Sequence, residues 1–211
     1  PGPPANIVQC CQVAMWLREI FEHLGLQSFP KTSGSKGLQL YVPLHTPTSF
    51  DATKLFARAL AQVLEQDHPE HVVSDMKKSL RTGKVFVDWS QNDEHKTTVS
   101  VYSLRAREHP TVSTPVTWDE IERCLKKKDP ALLVFESKQT IARFEKMGDL
   151  FEPVLKLKQK LPDLKAAVPS AAAEKKPIEL AARADDDHRP KRTARKPAAR
   201  KAPARKKRSR V

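Results

Sequence analysis

Cysteine is scarce in this chain, with three residues in 211: Cys10, Cys11 and Cys124. No CxxC pair and no Cys/His cluster has the spacing of a zinc site, so a structural zinc is not expected. Thiols without a paired framework are typical of a reducing compartment. No apolar run approaches the roughly 20 residues of a membrane span, and no basic stretch followed by an apolar one marks a secretory signal. The sequence therefore predicts a soluble cytoplasmic protein with no membrane partner.

The short motifs of several common enzyme classes are also missing. The histidines show no HExxH or clustered spacing, and no GxSxG motif or Cys/His pairing indicates a hydrolase. The GxxxxGK[ST] spacing of a P-loop is absent as well. These absences disfavour a zinc protease, a serine or cysteine hydrolase and a P-loop nucleotidase.

Acidic residues are missing from residues 189–210, which contain twelve Lys or Arg. Subtracting these twelve from the net charge of +13 leaves +1 for the first 188 residues. We therefore divide the chain into a domain at residues 1–162 and a disordered basic tail, rich in Ala, Pro, Lys and Arg, at residues 163–211. The tail is expected to bind DNA through counterion release, the alternative being a solubilising linker. The cations predicted to contact DNA are Arg192, Arg195, Lys196, Arg200, Lys201, Arg205, Lys206, Lys207 and Arg208.

Hydrophobic periodicity within the domain indicates both helices and strands. Helical segments are predicted at residues 5–24, 52–65, 72–80, 117–127 and 139–160. Strands are predicted at residues 27–30, 38–42, 84–88 and 98–102. Asp51 is expected to cap the second helix, and Thr117 with Glu120 to form a capping box. Mixed elements in this order predict an α+β fold rather than a helical bundle.

A loop at residues 33–37 lies between two predicted strands and carries Ser33, Ser35 and Lys36. Backbone N–H groups of a glycine-containing turn converge on anions, and hydroxyls and a lysine add donors and charge. This composition favours a polyphosphate site. The alternative is a plain hairpin turn.

Asp88 follows the apolar run at residues 85–87, so a rigid strand would deliver its carboxylate to a sheet edge, where magnesium sites are built. The alternative is a residue that ends the strand in a turn. Arg105 and Arg107 alternate with Leu104 and would point to one face, as a phosphate clamp requires. They could equally be ordinary exposed arginines of a strand.

Residues 29–44 resemble the S-G-x-K-G-x-H motif of the polymerase/primase domain of bacterial DNA ligase D, a member of the archaeo-eukaryotic primase superfamily. Segments at residues 84–92, 96–98, 102–107 and 114–120 follow in the same family order. The resemblance implies an RRM-like palm with a mixed or antiparallel sheet and flanking helices. It also implies that Ser33, Ser35 and Lys36 hold the triphosphate of a nucleotide.

The resemblance assigns further roles. Asp88 would be a catalytic carboxylate that binds Mn²⁺ or Mg²⁺, and Gln91 and Arg105 would line the nucleotide pocket. Gln39 stands where the family has histidine, and it can still donate a hydrogen bond to phosphate. The implied task is template-dependent nucleotidyl transfer to broken DNA ends in non-homologous end joining, at the bacterial nucleoid. The implied partners are DNA, a nucleotide triphosphate, bacterial Ku, a ligase and a nuclease.

Two family features are not found in this sequence: the D-x-D metal motif, which in the family precedes the segment equivalent to Pro1 and Gly2, and the portion that recognises a 5′-phosphate. The palm is therefore expected to be N-terminally incomplete. Because two-metal transfer relies on bridging carboxylates, the chain alone is expected to be inactive. The alternatives are a non-catalytic DNA-binding scaffold with a decayed palm, and a split gene whose other half supplies the motif.

Overall fold

A computed structural model describes residues 1–163 of the chain. The predicted basic tail, with the arginines and lysines predicted to contact DNA, lies outside these residues apart from its first position. Five α-helices form in the described part: α1 (Ile7–His23), α2 (Phe50–Asp67), α3 (Trp118–Lys127), α4 (Ser137–Met147) and α5 (Glu152–Lys156). No helix among residues 1–163 is long and apolar enough to cross a membrane.

Six short strands within residues 1–163 pair as three two-stranded sheets. The strands are β1 (Phe29–Thr32), β2 (Leu38–Tyr41), β3 (Val72–Val73), β4 (Val85–Phe86), β5 (Leu104–Arg105) and β6 (Thr111–Val112). Pairs β1–β2 and β5–β6 are antiparallel, whereas β3–β4 is parallel. The α+β class with mixed strand pairing is therefore confirmed.

The first hairpin is joined to the segment that follows β6. Lys31 forms an antiparallel bridge with Pro115, and the Thr32 amide donates to the Thr114 carbonyl over 2.9 Å. Within the hairpin, Lys31 lies opposite Gln39. This connection brings the β1–β2 loop to the β5–β6 hairpin.

The main core forms where α1 packs against α3. Cys11 of α1 and Ile121 and Cys124 of α3 are fully buried, and Val72 of β3 joins the same cluster. Burial raises the pKa of the Cys11 thiol, which keeps it neutral. All three cysteines are free and buried, as expected of core residues rather than redox groups.

Local signals place most helix starts. The Thr117–Glu120 capping box is confirmed, with the Glu120 amide donating to the Thr117 hydroxyl over 3.2 Å. At α2 the predicted N-cap, Asp51, was wrong, because the N-cap is Ser49, two residues earlier. The helix begins at Phe50, because the Ser49 hydroxyl accepts from the Ala52 amide over 3.2 Å and Asp51 lies within the first turn.

Three predicted elements were wrong. Residues 72–80 are not a helix, because Val72 and Val73 pair with β4 and only a 3₁₀ turn (Lys78–Arg81) follows. Residues 98–102 form no strand, and Tyr102 instead takes a left-handed backbone with φ of 62°. The helix predicted at 139–160 breaks at Gly148, whose φ of 72° ends α4 before the short α5.

Candidate nucleotide-binding site

The loop between β1 and β2 is folded around the Ser33 side chain. Ser33 donates its amide to the Gly37 carbonyl over 2.9 Å, which closes the turn. Its hydroxyl oxygen accepts from the amides of Ser35 (3.2 Å) and Gly37 (3.3 Å). Two backbone donors are thus held by Ser33, while the hydroxyl proton of Ser33 stays available to a ligand. Ser35 and Lys36 lie at the exposed tip.

The β5–β6 hairpin fixes this loop from the side. The Thr111 hydroxyl donates to the Gly34 carbonyl over 2.6 Å, and the Arg107 guanidinium donates to the Ser35 hydroxyl. Gly34 has φ of 62°, and a Cβ added there would lie 2.7 Å from Cγ of Arg105. Only glycine permits so close an approach. The sequence-predicted residues Ser33, Ser35, Lys36 and Arg105 therefore meet at one place, together with Arg107.

A cleft with a volume of about 320 Å³ opens beside the loop. Gly34, Lys36 and Thr111 line its polar side, and Ile7 and Phe135 line its apolar side. Lys36 is exposed and Arg105 is half-buried. The loop thus presents a lysine, hydroxyls and a nearby guanidinium at the edge of a cleft, a donor set that suits an extended anion.

Gln39 lies on β2, behind the loop. Its amide nitrogen donates to the Thr98 hydroxyl over 2.9 Å, and its Oε1 atom is buried without a hydrogen-bond partner among residues 1–163. The amide nitrogen carries a second N–H, so the predicted donation from Gln39 to phosphate is compatible with the bond to Thr98.

Asp88 lies beyond the end of β4, in a different sheet from the loop. Its exposed carboxylate accepts from the Ser90 hydroxyl over 2.6 Å and from the side-chain amide nitrogen of Gln91 over 3.2 Å. The structure therefore joins the predicted residues Asp88 and Gln91 to each other. A carboxylate with one bond to each oxygen retains lone pairs for a hard divalent cation.

Helix α2 fixes the turn that follows Asp88. The Trp89 indole donates to the Ser74 carbonyl over 2.9 Å, and the guanidinium carbon of Arg58 lies 4.9 Å from the ring centroid of Trp89. The Lys54 ammonium lies 2.7 Å from the Asp93 carboxylate. Two cations of α2 thus anchor the turn on both sides, which limits where the Asp88 carboxylate can move.

Sequence reasoning missed Lys31 and Thr111. Lys31 is fully buried below the loop, and its ammonium donates to the Ser113 hydroxyl over 2.6 Å. Burial, with a smaller contribution from the Arg105 charge, lowers the pKa of Lys31 to about 8. The sequence holds no local signal for this role, because a lysine of a strand beside a turn is ordinarily exposed.

The comparisons with known proteins agree on a family. The model of the LigD primase-polymerase domain matches residues 1–151. The multifunctional non-homologous end joining protein LigD of Mycolicibacterium smegmatis is 47% identical over 154 residues, which are 73% of this chain and 19% of that protein. The bifunctional LigD protein of Bacillus subtilis is 33% identical over 150 residues, covering 69% of this chain and 24% of that protein.

A solved structure shows the same fold. The polymerase domain from Mycobacterium tuberculosis ligase D, in complex with DNA, superimposes with a TM-score of 0.67 at 47% identity. The match covers 73% of this chain and 52% of the solved one. The chain thus spans about half of that structure's chain and about a fifth of the curated relatives. Its sequence along residues 1–151 and its fold together establish that this chain belongs to the LigD primase-polymerase family.

Proposed function

We propose that this chain provides the nucleotide-binding portion of a primase-polymerase that extends broken DNA ends in bacterial non-homologous end joining. The relatives are named as end-joining proteins, and the solved relative is a polymerase domain in complex with DNA. The observation that carries the proposal is the loop at residues 33–37, held against β5–β6 so that Lys36 and the arginines converge beside a cleft.

In the proposed complex the loop binds the triphosphate of the incoming nucleotide. Lys36 supplies a mobile positive charge, and the Ser33 hydroxyl donates while its oxygen holds the loop amides. Arg105 offers a guanidinium on a side chain whose Cγ lies close against Gly34 of the loop. Charge-assisted hydrogen bonds to phosphate are the strong class of polar contacts.

Asp88 is the candidate ligand of Mn²⁺ or Mg²⁺. Carboxylate oxygens suit hard divalent cations, and the bonds from Ser90 and Gln91 orient this carboxylate. Within residues 1–163 no group of three or more His, Cys, Asp or Glu side chains is placed to hold a metal ion. Asp88 would thus be one ligand of a larger set that includes the nucleotide phosphates, and the metal would supply Lewis acidity toward them.

The basic tail is proposed to hold the protein on DNA at the nucleoid. Residues 189–210 contain twelve cations interleaved with Ala and Pro, and this segment has no aromatic residue. Such a segment contacts phosphates without reading bases. Bacterial Ku, a ligase and a nuclease are the proposed protein partners, because these activities process the same DNA ends.

Nucleotide binding by the loop is tested by calorimetric titration of Mg–ATP onto the 211-residue protein. Lys36→Ala and Arg105→Ala are each expected to weaken binding by about 1.5–3 kcal/mol, the range for hydrogen bonds to charged groups. The matched control is Lys126→Ala, which removes an exposed lysine of α3 and should leave the affinity unchanged. Identical isotherms for the wild type, Lys36→Ala and Arg105→Ala would contradict the proposed phosphate site.

A further inference from the structure

Lys31 is a buried cation directly below the phosphate loop. None of its side chain is exposed. Its ammonium donates to the Ser113 hydroxyl over 2.6 Å and to the Val99 carbonyl over 3.0 Å, and it lies 5.6 Å from the ring centroid of Tyr41. Both acceptors are neutral, so the charge is solvated by the protein but not balanced by these partners.

The other charged or titratable groups around Lys31 do not balance it either. Arg105 of β5 faces it with a second positive charge, and Tyr41 of β2 faces it with a phenol whose pKa is itself raised by burial. The segments at residues 98–99 and 113–115 contribute one carbonyl, of Val99, and one hydroxyl, of Ser113. Burial and the Arg105 charge lower the pKa of Lys31 to about 8, so a protonated and a neutral form are both accessible near physiological pH.

The same contacts connect Lys31 to the loop. The Ser113 hydroxyl donates to the Thr32 carbonyl over 2.8 Å, so Lys31 and Thr32 share one partner. A Cβ at Gly34 would lie 2.9 Å from the Ser113 amide nitrogen and 2.7 Å from Cγ of Arg105. Lys31, Arg105 and the loop therefore form one packed cluster. An anion bound at the loop would favour the charged form of any cation within it.

We propose that Lys31 is a positioning residue of the nucleotide site whose protonation and the binding of a polyphosphate at the loop strengthen each other. The proposal rests on the proposed function, because it requires that the loop bind a nucleotide triphosphate. Lys31 acts through Ser113 and Arg105, without touching the ligand. Since such coupling is reciprocal, the nucleotide must draw a proton onto Lys31 in proportion to its preference for the charged form.

The direction of the pH dependence follows from this coupling. Polyphosphate binds better to the protonated lysine, so the affinity is highest below the pKa of the free protein and falls as the pH rises through it. For a tenfold preference, the affinity falls about fivefold between about pH 7.5 and about pH 9.2. Phosphate ionisation of Mg–ATP is complete below this range and does not contribute.

The test is calorimetric titration of Mg–ATP at these two pH values. The wild type should lose about fivefold in affinity at the higher pH. Lys31→Met should bind more weakly than the wild type at the lower pH and change less than twofold between the two. Lys31→Arg should keep its affinity at both, because a guanidinium stays charged. The matched control is Lys126→Met, the same chemical change at an exposed lysine of α3, which should keep the wild-type pH dependence.

A second readout is proton uptake. Titrations near pH 8.5 in two buffers of different ionisation enthalpy should show net proton uptake by the wild type and none by Lys31→Arg. A flat pH profile in the wild type, or an alkaline loss that persists in Lys31→Arg, overturns the role of Lys31 while leaving the nucleotide site intact. If Lys31→Met does not fold, Lys31→Arg still decides the question. Absence of Mg–ATP binding by the wild type at either pH overturns the nucleotide site and this role with it.

Discussion

Replacing Gly34 by alanine tests whether the loop must lie against β6. Gly34 has φ of 62°, and a Cβ there would meet Cγ of Arg105 at 2.7 Å and the Ser113 nitrogen and Val112 carbonyl carbon at 2.9 Å each. The arginine side chain can move, but the two backbone atoms belong to a paired strand and its continuation. The loop itself must therefore shift, and its 2.6 Å bond from Thr111 should break.

The loss of folding stability expected for Gly34→Ala has two parts, which a control variant can separate. A left-handed backbone costs a non-glycine residue about 1–2 kcal/mol, and forcing a methyl group into a packed contact costs about 1–3 kcal/mol. Gly25 has φ of 70° and nothing within 4 Å of its added Cβ. Gly25→Ala should therefore show the backbone part alone, and Gly34→Ala should be less stable than Gly25→Ala by the packing part.

The assay is denaturant unfolding of the wild type and both variants, followed by Mg–ATP titration. Gly34→Ala should lose at least tenfold in Mg–ATP affinity, because Arg105 and Ser35 no longer share one geometry. Gly25→Ala, at the far end of α1, should bind as the wild type does. Equal destabilisation by the two variants, with unchanged ATP binding, would refute both the close contact of the loop and its role in holding phosphate.

Three further results are expected. Glu120→Gln should destabilise the fold by about 2–3 kcal/mol near neutral pH, because Glu120 binds Arg143 through two contacts in a mostly buried pair. Burial raises the pKa of Glu120, but hydrogen bonds from Arg143 and Thr117 outweigh burial, so the net pKa is lowered. The ionised Glu120 therefore stabilises the fold above the ordinary glutamate pKa. As the pH falls below it, the difference in unfolding free energy between Glu120→Gln and the wild type should close. The 211-residue protein should not extend a primer with Mn²⁺ or Mg²⁺, and extension abolished by Asp88→Ala would contradict the need for further carboxylates. If about six to eight tail cations contact duplex DNA, a plot of log affinity against log salt concentration should have a slope of about −5 to −7. Deletion of residues 189–211 should remove most of this binding. Tight binding of DNA ends by the truncated protein would refute the role of the tail.

Helix starts were predictable because their signals are local. Thr117 and Glu120 are three residues apart, and their capping box is formed as predicted. The β3 strand was not predictable in the same way, since its two residues pair with Val85 and Phe86, thirteen positions along the chain. Val72 and Val73 are compatible with an apolar helix face as well as with a strand, and only the long-range pairing distinguishes the two.

The predicted strand at residues 98–102 failed for a different reason. Thr98, Val99 and Val101 have high strand propensity, but side chains of the first hairpin bond to this segment, and one of them takes a backbone carbonyl that a strand ladder would use. The Val99 carbonyl accepts from the Lys31 ammonium, and the Thr98 hydroxyl accepts from Gln39. These contacts join residues 68 and 59 positions apart in the chain, which propensity cannot show.

The loop residues of the candidate site were found because they form a compact motif, and Lys31 was missed because its role depends on what covers it. In sequence, Lys31 is a lysine of a strand next to a turn. In the structure, Ser113, Val99 and Arg105 enclose it. Their approach depends on the bridge between Lys31 and Pro115. A buried cation can thus be recognised only after the strands around it are placed.

The position of Arg105 depends in turn on the backbone at Tyr102. Tyr102 has φ of 62°, a left-handed backbone that costs a non-glycine residue about 1–2 kcal/mol, so other contacts must hold it. The Tyr102 amide donates to the Ser113 carbonyl over 2.7 Å, and its hydroxyl donates to the Asp149 carboxylate over 2.6 Å. Asp149 also accepts from the Phe151 amide over 2.9 Å, which fixes the carboxylate at the break between α4 and α5. The helix break that the sequence pattern concealed is therefore part of what turns the chain into β5, where Cγ of Arg105 lies against Gly34 of the loop.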